Sequence, residues 1–190
     1  LAARDSLASG ALDATELTAA CLQRCAERDD EIRAWTHLDR RLALGQAERL
    51  DEQRRSGHPI GPLHGLPVGV KDIIDTADLP TENGNPLDAG RQPESDAWLV
   101  GRLRAAGAVI LGKANLSEFA LSYGWLGYGS MVGQTRNPHD LLRDPSGSSS
   151  GSAAAVAARH PPPSPAPGLR RSAPGARAAW SRSGPAAPDR

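Results

Sequence analysis

The feature that most constrains this chain is an alternation of helical and strand-like apolar patterns along its first 158 residues. Apolar residues recur three or four positions apart in "DATELTAACLQRCAERDDEIRAW", which predicts an amphipathic helix capped by Asp13 or Thr15. Similar spacing predicts helices in "RRLALGQAERLDEQRRSG" and "DAWLVGRLRAAG". Short apolar runs in "GLPVGVKDIIDT" and "AVILGKAN" predict strands, and "LSEFALS" predicts a short helix. This order predicts an α/β fold, with helices packed on a mixed β-sheet.

The alternation ends abruptly near Ala158. Residues 159–190 contain six arginines, one acid and eight of the sixteen prolines, and few large apolar side chains. We therefore divide the chain into a body, residues 1–158, and a tail, residues 159–190, that its composition predicts to be disordered or translated out of frame. A nucleic-acid-binding tail would mix lysine and aromatic residues with its arginines. The abrupt break favours the out-of-frame explanation, and nucleic acid is not expected as a partner.

Targeting segments and cysteine chemistry are not indicated. The chain has no charged-then-apolar leader and no apolar run near about 18 residues, so neither a signal peptide nor a membrane span is expected. Its two cysteines, Cys21 and Cys25, match no zinc or redox spacing. We expect them to be ordinary helix residues in a reducing compartment, which makes a cytoplasmic location the prediction.

The chain contains only two lysines, Lys71 and Lys113, against twenty arginines. Lys113 follows Gly107 and Gly112 at the spacing of a phosphate-binding loop, in "GAVILGKAN". A phosphate cradle needs an irregular loop, however, and the intervening residues form a strand-like apolar run. Ala114 also stands where a metal-binding Ser or Thr belongs. We therefore predict that Lys113 is a structural residue at a strand end rather than part of a nucleotide site.

Lys71 follows Val68 and Val70 at the predicted end of a strand. Apolar neighbours would partly desolvate its amine and lower its pKa, which would make Lys71 a usable base. The alternative is a surface ion pair with Asp72 or Asp75, and on local sequence this alternative is favoured. The serine- and glycine-rich segment "DPSGSSSGSAAAVAA" also has more than one possible role. Its composition alone fits a linker, a phosphate cradle or a catalytic loop.

Four segments follow one another along the chain: "GPLHGLPVGVKDIIDTADLPT", "ESDAWLVGRLRAAGAVILGKANLSEFA", "GQTRNPHD" and "PSGSSSGSAAAVAA". Taken together and in this order, they resemble the amidase signature family. The likeness covers roughly residues 5–158, and its specific parts are "VKD" and the glycine- and serine-rich block. The resemblance implies the amidase-signature fold, a mixed β-sheet flanked by helices. It also implies that the fold is incomplete here, because the family domain continues beyond this stretch.

The resemblance further implies a Ser–cisSer–Lys triad. Lys71 matches the general base, and Ser148 matches the bridging serine whose peptide bond is cis. Gly147 and Ser149 flank Ser148, and with their small side chains they are predicted to approach the substrate closely. The serine-rich segment is then a rigid catalytic loop followed by a buried helix, not a linker. No metal or organic cofactor is expected, since this triad needs none.

The remaining site predictions are positional. "SYGWLGYGSMVGQT" resembles a loop lining the substrate channel, so Ser130 and Met131 are candidate substrate contacts. Ser172 stands 24 residues after Ser148, where the family places its nucleophile. Its surroundings, "GLRRSAPGA", lack the acid and paired glycines of the family turn, so coincidence explains this match better. His64 and His139 are expected to be structural.

The function implied by the resemblance is hydrolysis of a carboxylic amide to acid and ammonia through an acyl-enzyme. The expected partner is a small-molecule amide, and the chain is expected to be inactive by itself. The resemblance also covers a second role, as the ammonia-releasing component of a tRNA-dependent amidotransferase that contains other subunits. The alternative from another class is a non-catalytic binding module that keeps the fold. "PTENGNP" departs from the small residues usual in the family, which predicts an altered pocket wall near Glu82 and Asn83.

Overall fold

The computed structural model describes residues 2–121 and 131–158. The helices are α1 (Ala2–Ser9), α2 (Ala14–Ile32), α3 (Arg40–Arg55), α4 (Trp98–Ala105) and α5 (Ser150–Ala157). The strands are β1 (Trp35–Leu38), β2 (Pro67–Lys71) and β3 (Val109–Ala114), with short 3-10 turns at Pro86–Asp88 and Glu118–Ala120. The tail assigned to residues 159–190 lies outside the described residues.

The three strands form one mixed sheet in the order β1-β3-β2. β3 pairs parallel with β2 and antiparallel with β1. The parallel pair requires a crossover, which contains α4, as expected because parallel neighbours cannot be joined by a tight hairpin. The prediction of an α/β fold with helices packed on a mixed sheet is confirmed.

The two faces of β3 pack into different apolar clusters. Val109 and Ala114 belong to the larger cluster, which contains buried residues of α2, α3 and α5. Ile110 belongs to a smaller cluster with Val70 of β2 and Val100 of α4. All six β3 residues are buried, because helices or loops cover the strand on both faces. β3 is therefore the central strand of the sheet and is buried along its whole length.

The indole of Trp35 packs over the paired glycines of β2 and β3. A Cβ atom on Gly69 would lie 2.7 Å from the ring of Trp35, and a Cβ on Gly112 would lie 3.3 Å from that ring and would overlap the carbonyl oxygen of His37. Gly69 and Gly112 pair directly in the parallel register. These two glycines create the flat surface on which β1 joins the sheet, one use of glycine inside strands.

Three elements differ from expectation. "LSEFALS" forms only the 3-10 turn Glu118–Ala120, and Phe119 has a φ of 48°. The backbone N–H of Phe119 donates to the carbonyl of Asn83 at 2.8 Å, so a loop contact replaces the helical hydrogen bond. The helix prediction for this segment is therefore wrong. The sequence patterns also did not indicate α1 or β1.

Both cysteines lie on the buried face of α2, as expected. Cys21 and Cys25 are free thiols, and burial is the main cause that raises the pKa of each to about 12. Thiols of this kind are packing residues rather than nucleophiles. Among the described helices, none has the length and hydropathy needed to cross a membrane.

Candidate active site

Lys71 and Ser148 meet at the carboxyl end of β2. The Nζ atom of Lys71 donates to the Oγ atom of Ser148 at 2.8 Å, across 77 residues of sequence. Both side chains are half-buried. The peptide bond between Gly147 and Ser148 is cis, as the resemblance implies. The structure thus joins the two side chains that the sequence marked in separate segments.

The first turn of α5 is docked on the chain just after β3. The N–H of Gly151 donates to the carbonyl of Asn115 at 3.0 Å, and the N–H of Asn115 donates to the carbonyl of Ala34 at 2.9 Å. A Cβ on Gly151 would lie 2.6 Å from the oxygen of Asn115, which is closer than atoms can approach. Only glycine fits here, and its close approach fixes Ser148 three residues upstream.

Asn115 joins three loops beneath this site, a role that sequence analysis did not identify. The two N–H bonds of its Nδ2 atom are shared among three acceptors, the carbonyls of Arg33 and Gly133 and the hydroxyl of Thr135, each at 3.0 Å. Its Oδ1 atom accepts from the N–H of Leu116 at 2.9 Å. Such a fully satisfied buried amide specifies one arrangement of its loops. "GKAN" and "GQT", which carried the resemblance, therefore meet at a structural centre.

The electrostatic setting of Lys71 shifts the pKa of its amine downward. Burial lowers the pKa of the Lys71 amine, because desolvation penalises the charged ammonium. The alternative of an ion pair with Asp72 or Asp75 is wrong. Asp72 pairs with Lys113 at 3.2 Å, and Asp75 pairs with Arg91 at 2.8 Å. Because the hydrogen-bond partner of Lys71 is the neutral hydroxyl of Ser148, the two groups are placed to exchange a proton.

The residues flanking Ser148 line an open surface. Gly147 and Ser149 are both exposed. A Cβ on Gly147 would lie 2.8 Å from the hydroxyl of Ser117, so Ser117, which was not predicted as a site residue, borders the same loop. Met131 is half-buried, and no described hydrogen bond connects it to Lys71 or Ser148. Two other candidates, Ser130 and Ser172, lie outside the described residues.

Lys113 is structural, as predicted. Its side chain is completely buried, and its Nζ atom donates to the carbonyl of Pro80 at 3.0 Å and to the hydroxyl of Thr81. An ammonium enclosed in this way cannot reach a phosphate group. It lies on a regular strand rather than in a phosphate-binding loop.

One cluster has the composition of a metal site. His37, Asp72 and Glu82 bring potential ligand atoms within 4.8 Å of one another. The ammonium of Lys113, however, lies 3.2 Å from Asp72 and already supplies the cation there. A divalent ion would be repelled at this distance. Glu82 turns toward His37 at 2.8 Å, so its carboxylate is committed to this cluster rather than to a pocket wall.

The two candidate histidines lie apart from the Lys71–Ser148 contact. His64 is buried, and neither ring nitrogen has a hydrogen-bond partner among the described residues. His139 is exposed in a turn, and its backbone N–H donates to the side chain of Asn137 at 3.0 Å. No described hydrogen bond links either imidazole to Lys71 or Ser148, which agrees with the expectation that neither serves as the base.

Several known proteins share this arrangement of elements. The native peptide amidase from Stenotrophomonas maltophilia matches with a TM-score of 0.74 and 46% sequence identity, over 80% of this chain and 32% of that one. A 6-aminohexanoate cyclic dimer hydrolase, solved with its substrate, matches with a TM-score of 0.72 and 31% identity, over 85% of this chain and 32% of that one.

Curated sequences give a consistent result. The chain is 46% identical over 146 residues to the A subunit of the glutamyl-tRNA(Gln) amidotransferase from Salinispora arenicola, covering 77% of this chain and 29% of the relative. It is 47% identical over 151 residues to the same component of the Chloroflexus aggregans enzyme, covering 80% of this chain and 30% of the relative. The chain therefore spans about 30% of the length of these relatives. Because the family model described as Amidase also matches residues 16–164, the chain belongs to the amidase family.

Proposed function

We propose that this chain carries the lysine and bridging serine of an amide-hydrolysing site. The observation that carries the proposal is the 2.8 Å contact between Lys71 Nζ and Ser148 Oγ, formed by a lysine whose burial lowers its pKa. A lysine ammonium donates in such a contact, whereas a neutral amine accepts from the serine hydroxyl. The contact therefore serves a proton transfer in either direction.

The proposed reaction has two stages. Neutral Lys71 accepts a proton through Ser148 from a nucleophilic serine, whose oxygen attacks the amide carbonyl while backbone N–H groups stabilise the oxyanion. The proton returns to the leaving nitrogen as the C–N bond breaks, which releases ammonia and leaves an acyl-enzyme. Water, deprotonated through the same two residues, then releases the acid. Ser172 is the nucleophile candidate by position, and Gly147, Ser149, Ser130 and Met131 are the proposed substrate contacts.

A chimera tests this assignment. Residues 16–158 replace the matched segment of the Stenotrophomonas maltophilia peptide amidase, and ammonia release from a peptide amide is measured. We expect the chimera to be active and Lys71→Ala to lower kcat/KM by roughly a thousandfold or more, since a positioned proton-transfer group is lost. Arg49→Ala, on the exposed surface of α3, is the matched control and should change little. An active chimera that tolerates Lys71→Ala would exclude Lys71 as the base.

A second function is favoured by the identity of 46% and 47% to the amidotransferase components. Here the chain would release ammonia for transfer onto a misacylated tRNA, together with other subunits. Ammonia release from glutamine and from a peptide amide, compared in the same chimera, separates the two functions. A preference for glutamine supports the amidotransferase role, and a preference for the peptide amide supports the hydrolase. In either case we propose a cytoplasmic location, with which the two buried free thiols are compatible.

The non-catalytic alternative makes a different prediction about Lys71. If the amine of Lys71 were solvated, as a binding module without chemistry permits, it would titrate at the ordinary pKa of lysine, near 10.4. The chain has only two lysines, so isotope labelling of lysine gives two side-chain NMR signals. A Lys71 midpoint clearly below the ordinary value supports catalysis, whereas an unshifted midpoint supports the binding module.

A further inference from the structure

The second lysine of the chain is enclosed beside the first. Lys113 precedes the last residue of β3 and is 0% exposed. Its ammonium lies 3.2 Å from Asp72 Oδ1 and donates to Pro80 O and Thr81 Oγ1. Three acceptors therefore surround the three N–H bonds of the ammonium. Such a buried ion pair is weak evidence of a stabilising role, because apolar residues of similar volume often stabilise a fold as well.

Asp72, the partner of Lys113, directly follows Lys71 and is held at every polar group. Its N–H donates to the carbonyl of Ala114, and its carbonyl accepts from the N–H of Asn83, both at 2.9 Å. Its carboxylate pairs with Lys113 and also accepts from the N–H of Glu82, at 3.4 Å to each oxygen. The backbone after Lys71 is thereby fixed to β3 on one side and to the following loop on the other.

The ion pair and the Lys71–Ser148 contact lie on opposite faces of the sheet. In the parallel register Val70 pairs with Lys113, and Lys71 pairs with Ala114. Successive strand residues point to opposite faces, and paired residues share a face. Lys113 and Asp72 consequently lie on one face, while the amine of Lys71 extends from the other toward Ser148. The pair touches neither reacting side chain and acts on Lys71 only through the backbone.

A second pair closes the same polar cluster toward solvent. His37 Nε2 lies 2.8 Å from Glu82 Oε2, and the other carboxylate oxygen of Glu82 accepts from the N–H of Gly90 at 2.8 Å. His37 lies opposite Lys113 in the antiparallel register of β1 and β3. The cluster therefore ties all three strands and the loop after β2 to the position of residue 72.

We propose that the buried Lys113–Asp72 ion pair is a positioning element, which holds the end of β2 so that the amine of Lys71 stays desolvated and directed at Ser148. This inference rests on the proposed role of Lys71 as the base. When one partner of the pair is removed, the other is left as an uncompensated buried charge. The loop carrying Asp72 then moves toward water, and the adjacent Lys71 gains solvent and loses its contact with Ser148.

The test is a titration of the Lys71 amine in the full 190-residue chain with isotope-labelled lysine, with circular dichroism at each pH to verify folding. Lys113→Met removes the ammonium, and its neutral side chain keeps a similar length. We expect the Lys71 midpoint to rise by about half a pH unit or more, which corresponds to roughly threefold tighter proton binding. The control is Arg54→Met on α3, which removes the ion pair of Arg54 with Asp13 and should leave the Lys71 midpoint in place.

A midpoint that stays unchanged in folded Lys113→Met overturns the inference. If that variant does not fold, Asp72→Asn provides the same test, because it removes the charge and keeps the shape of the side chain. A raised Lys71 midpoint in Asp72→Asn supports the inference, and an unchanged midpoint overturns it. Failure of the proposed role of Lys71 as the base looks different, since an amine that is not desolvated would already titrate near 10.4 in the unaltered chain. A depressed midpoint in the unaltered chain that no variant shifts overturns only the positioning role.

Discussion

At the scale of single residues, Asp29 is a carboxylate in a poorly solvated position. It lies in the last turn of α2, and its Oδ1 atom accepts from the N–H of Ala34 at 2.8 Å. Burial is the main cause that raises its pKa from 3.8 to about 6. Because the folded pKa is the higher one, its stabilising contribution is complete below the unfolded value and is lost as pH rises through the folded value.

We therefore expect Asp29→Asn to stabilise the fold at neutral pH. The amide cannot ionise, so the free energy of unfolding at pH 7.5 should rise by about 1 kcal/mol, with little change near pH 4. Urea unfolding followed by circular dichroism at both values measures this. Asp30→Asn, at the exposed neighbouring position, reports the general effect of removing a negative charge from a helix C-terminus. An equal gain from Asp30→Asn, or an equal gain at both pH values, would contradict the role of burial.

His64 gives the opposite dependence on pH. Its imidazole is 2% exposed, and neither nitrogen has a partner among the described residues. Burial is the main cause that lowers its pKa from 6.5; the charge of Arg54 adds to this, and the carboxylate of Asp51 opposes it. The neutral form is therefore favoured in the fold. Its contribution is complete above the unfolded value of 6.5 and is lost as pH falls through the folded value.

We expect His64→Leu to reduce the sensitivity of the fold to acid. Between pH 7.5 and pH 5, the unaltered chain should lose more of its unfolding free energy than this variant does, because leucine does not take up a proton. His139→Leu, at an exposed turn position, serves as the comparison and should keep the acid sensitivity. Parallel pH profiles for the unaltered chain and His64→Leu would show that His64 is not the group responsible.

At the scale of elements, two helical glycines make a matched pair. A Cβ on Gly151 of α5 would overlap the backbone of Ala34 and Asn115, whereas a Cβ on Gly101 of α4 meets nothing within 4 Å. We expect Gly151→Ala to destabilise the fold by about 2–4 kcal/mol through overpacking against rigid backbone. Gly101→Ala should instead stabilise it by about 0.5–1 kcal/mol, through reduced entropy of the unfolded chain.

The two alanine variants should also differ at the site. Displacing the first turn of α5 moves Ser148, so the Lys71 midpoint should return toward 10.4 in Gly151→Ala and stay depressed in Gly101→Ala. Urea unfolding and the lysine NMR titration check both effects in the same samples. If Gly151→Ala were tolerated with an unchanged Lys71 midpoint, the docking of α5 on Asn115 would not be what positions Ser148.

Elements with a strong period were predictable, and short ones were not. The helix patterns around α2, α3 and α4 and the apolar runs of β2 and β3 correspond to the observed elements within a few residues. β1 is only four residues long and joins the sheet through the packing of Trp35 over Gly69, a contact between distant segments. The 3-10 turn at Glu118–Ala120 likewise depends on a loop more than thirty residues away.

The residues of the site likewise fall into those that the sequence predicted and those that it did not. Lys71 and Ser148 were identified from motifs, and their contact follows from the parallel pairing that brings the ends of β2 and β3 to one edge. Local sequence instead favoured an ion pair of Lys71 with a neighbouring acid. That prediction is wrong because Asp72 forms its ion pair with Lys113 of the adjacent strand. Asn115 was not identified because its partners, Arg33 in one loop and Gly133 and Thr135 in another, are distant from it in the sequence.

At the scale of the whole molecule, the charge is divided unevenly. Residues 1–158 carry a formal charge of −5 and residues 159–190 carry +5, although the total is zero. The contacts that define the sheet, both apolar clusters and the Lys71–Ser148 pair all lie within residues 2–121 and 131–158. We therefore expect the body to hold its stability without the tail, apart from a weak electrostatic attraction that salt would screen.

Truncation after Ala158 tests this division and, with it, the candidacy of Ser172. In about 0.5 M salt, the shortened chain should unfold within about 2 °C of the full chain, since it loses none of the described contacts. The Lys71 midpoint should also be the same in both chains. A larger drop in the unfolding temperature would show that the tail contributes to the fold.

Ammonia release from a carboxamide by the full chain, if abolished both by truncation and by Ser172→Ala, would identify Ser172 as the nucleophile. Equal absence of release from all three would agree with the expectation that this chain is inactive by itself.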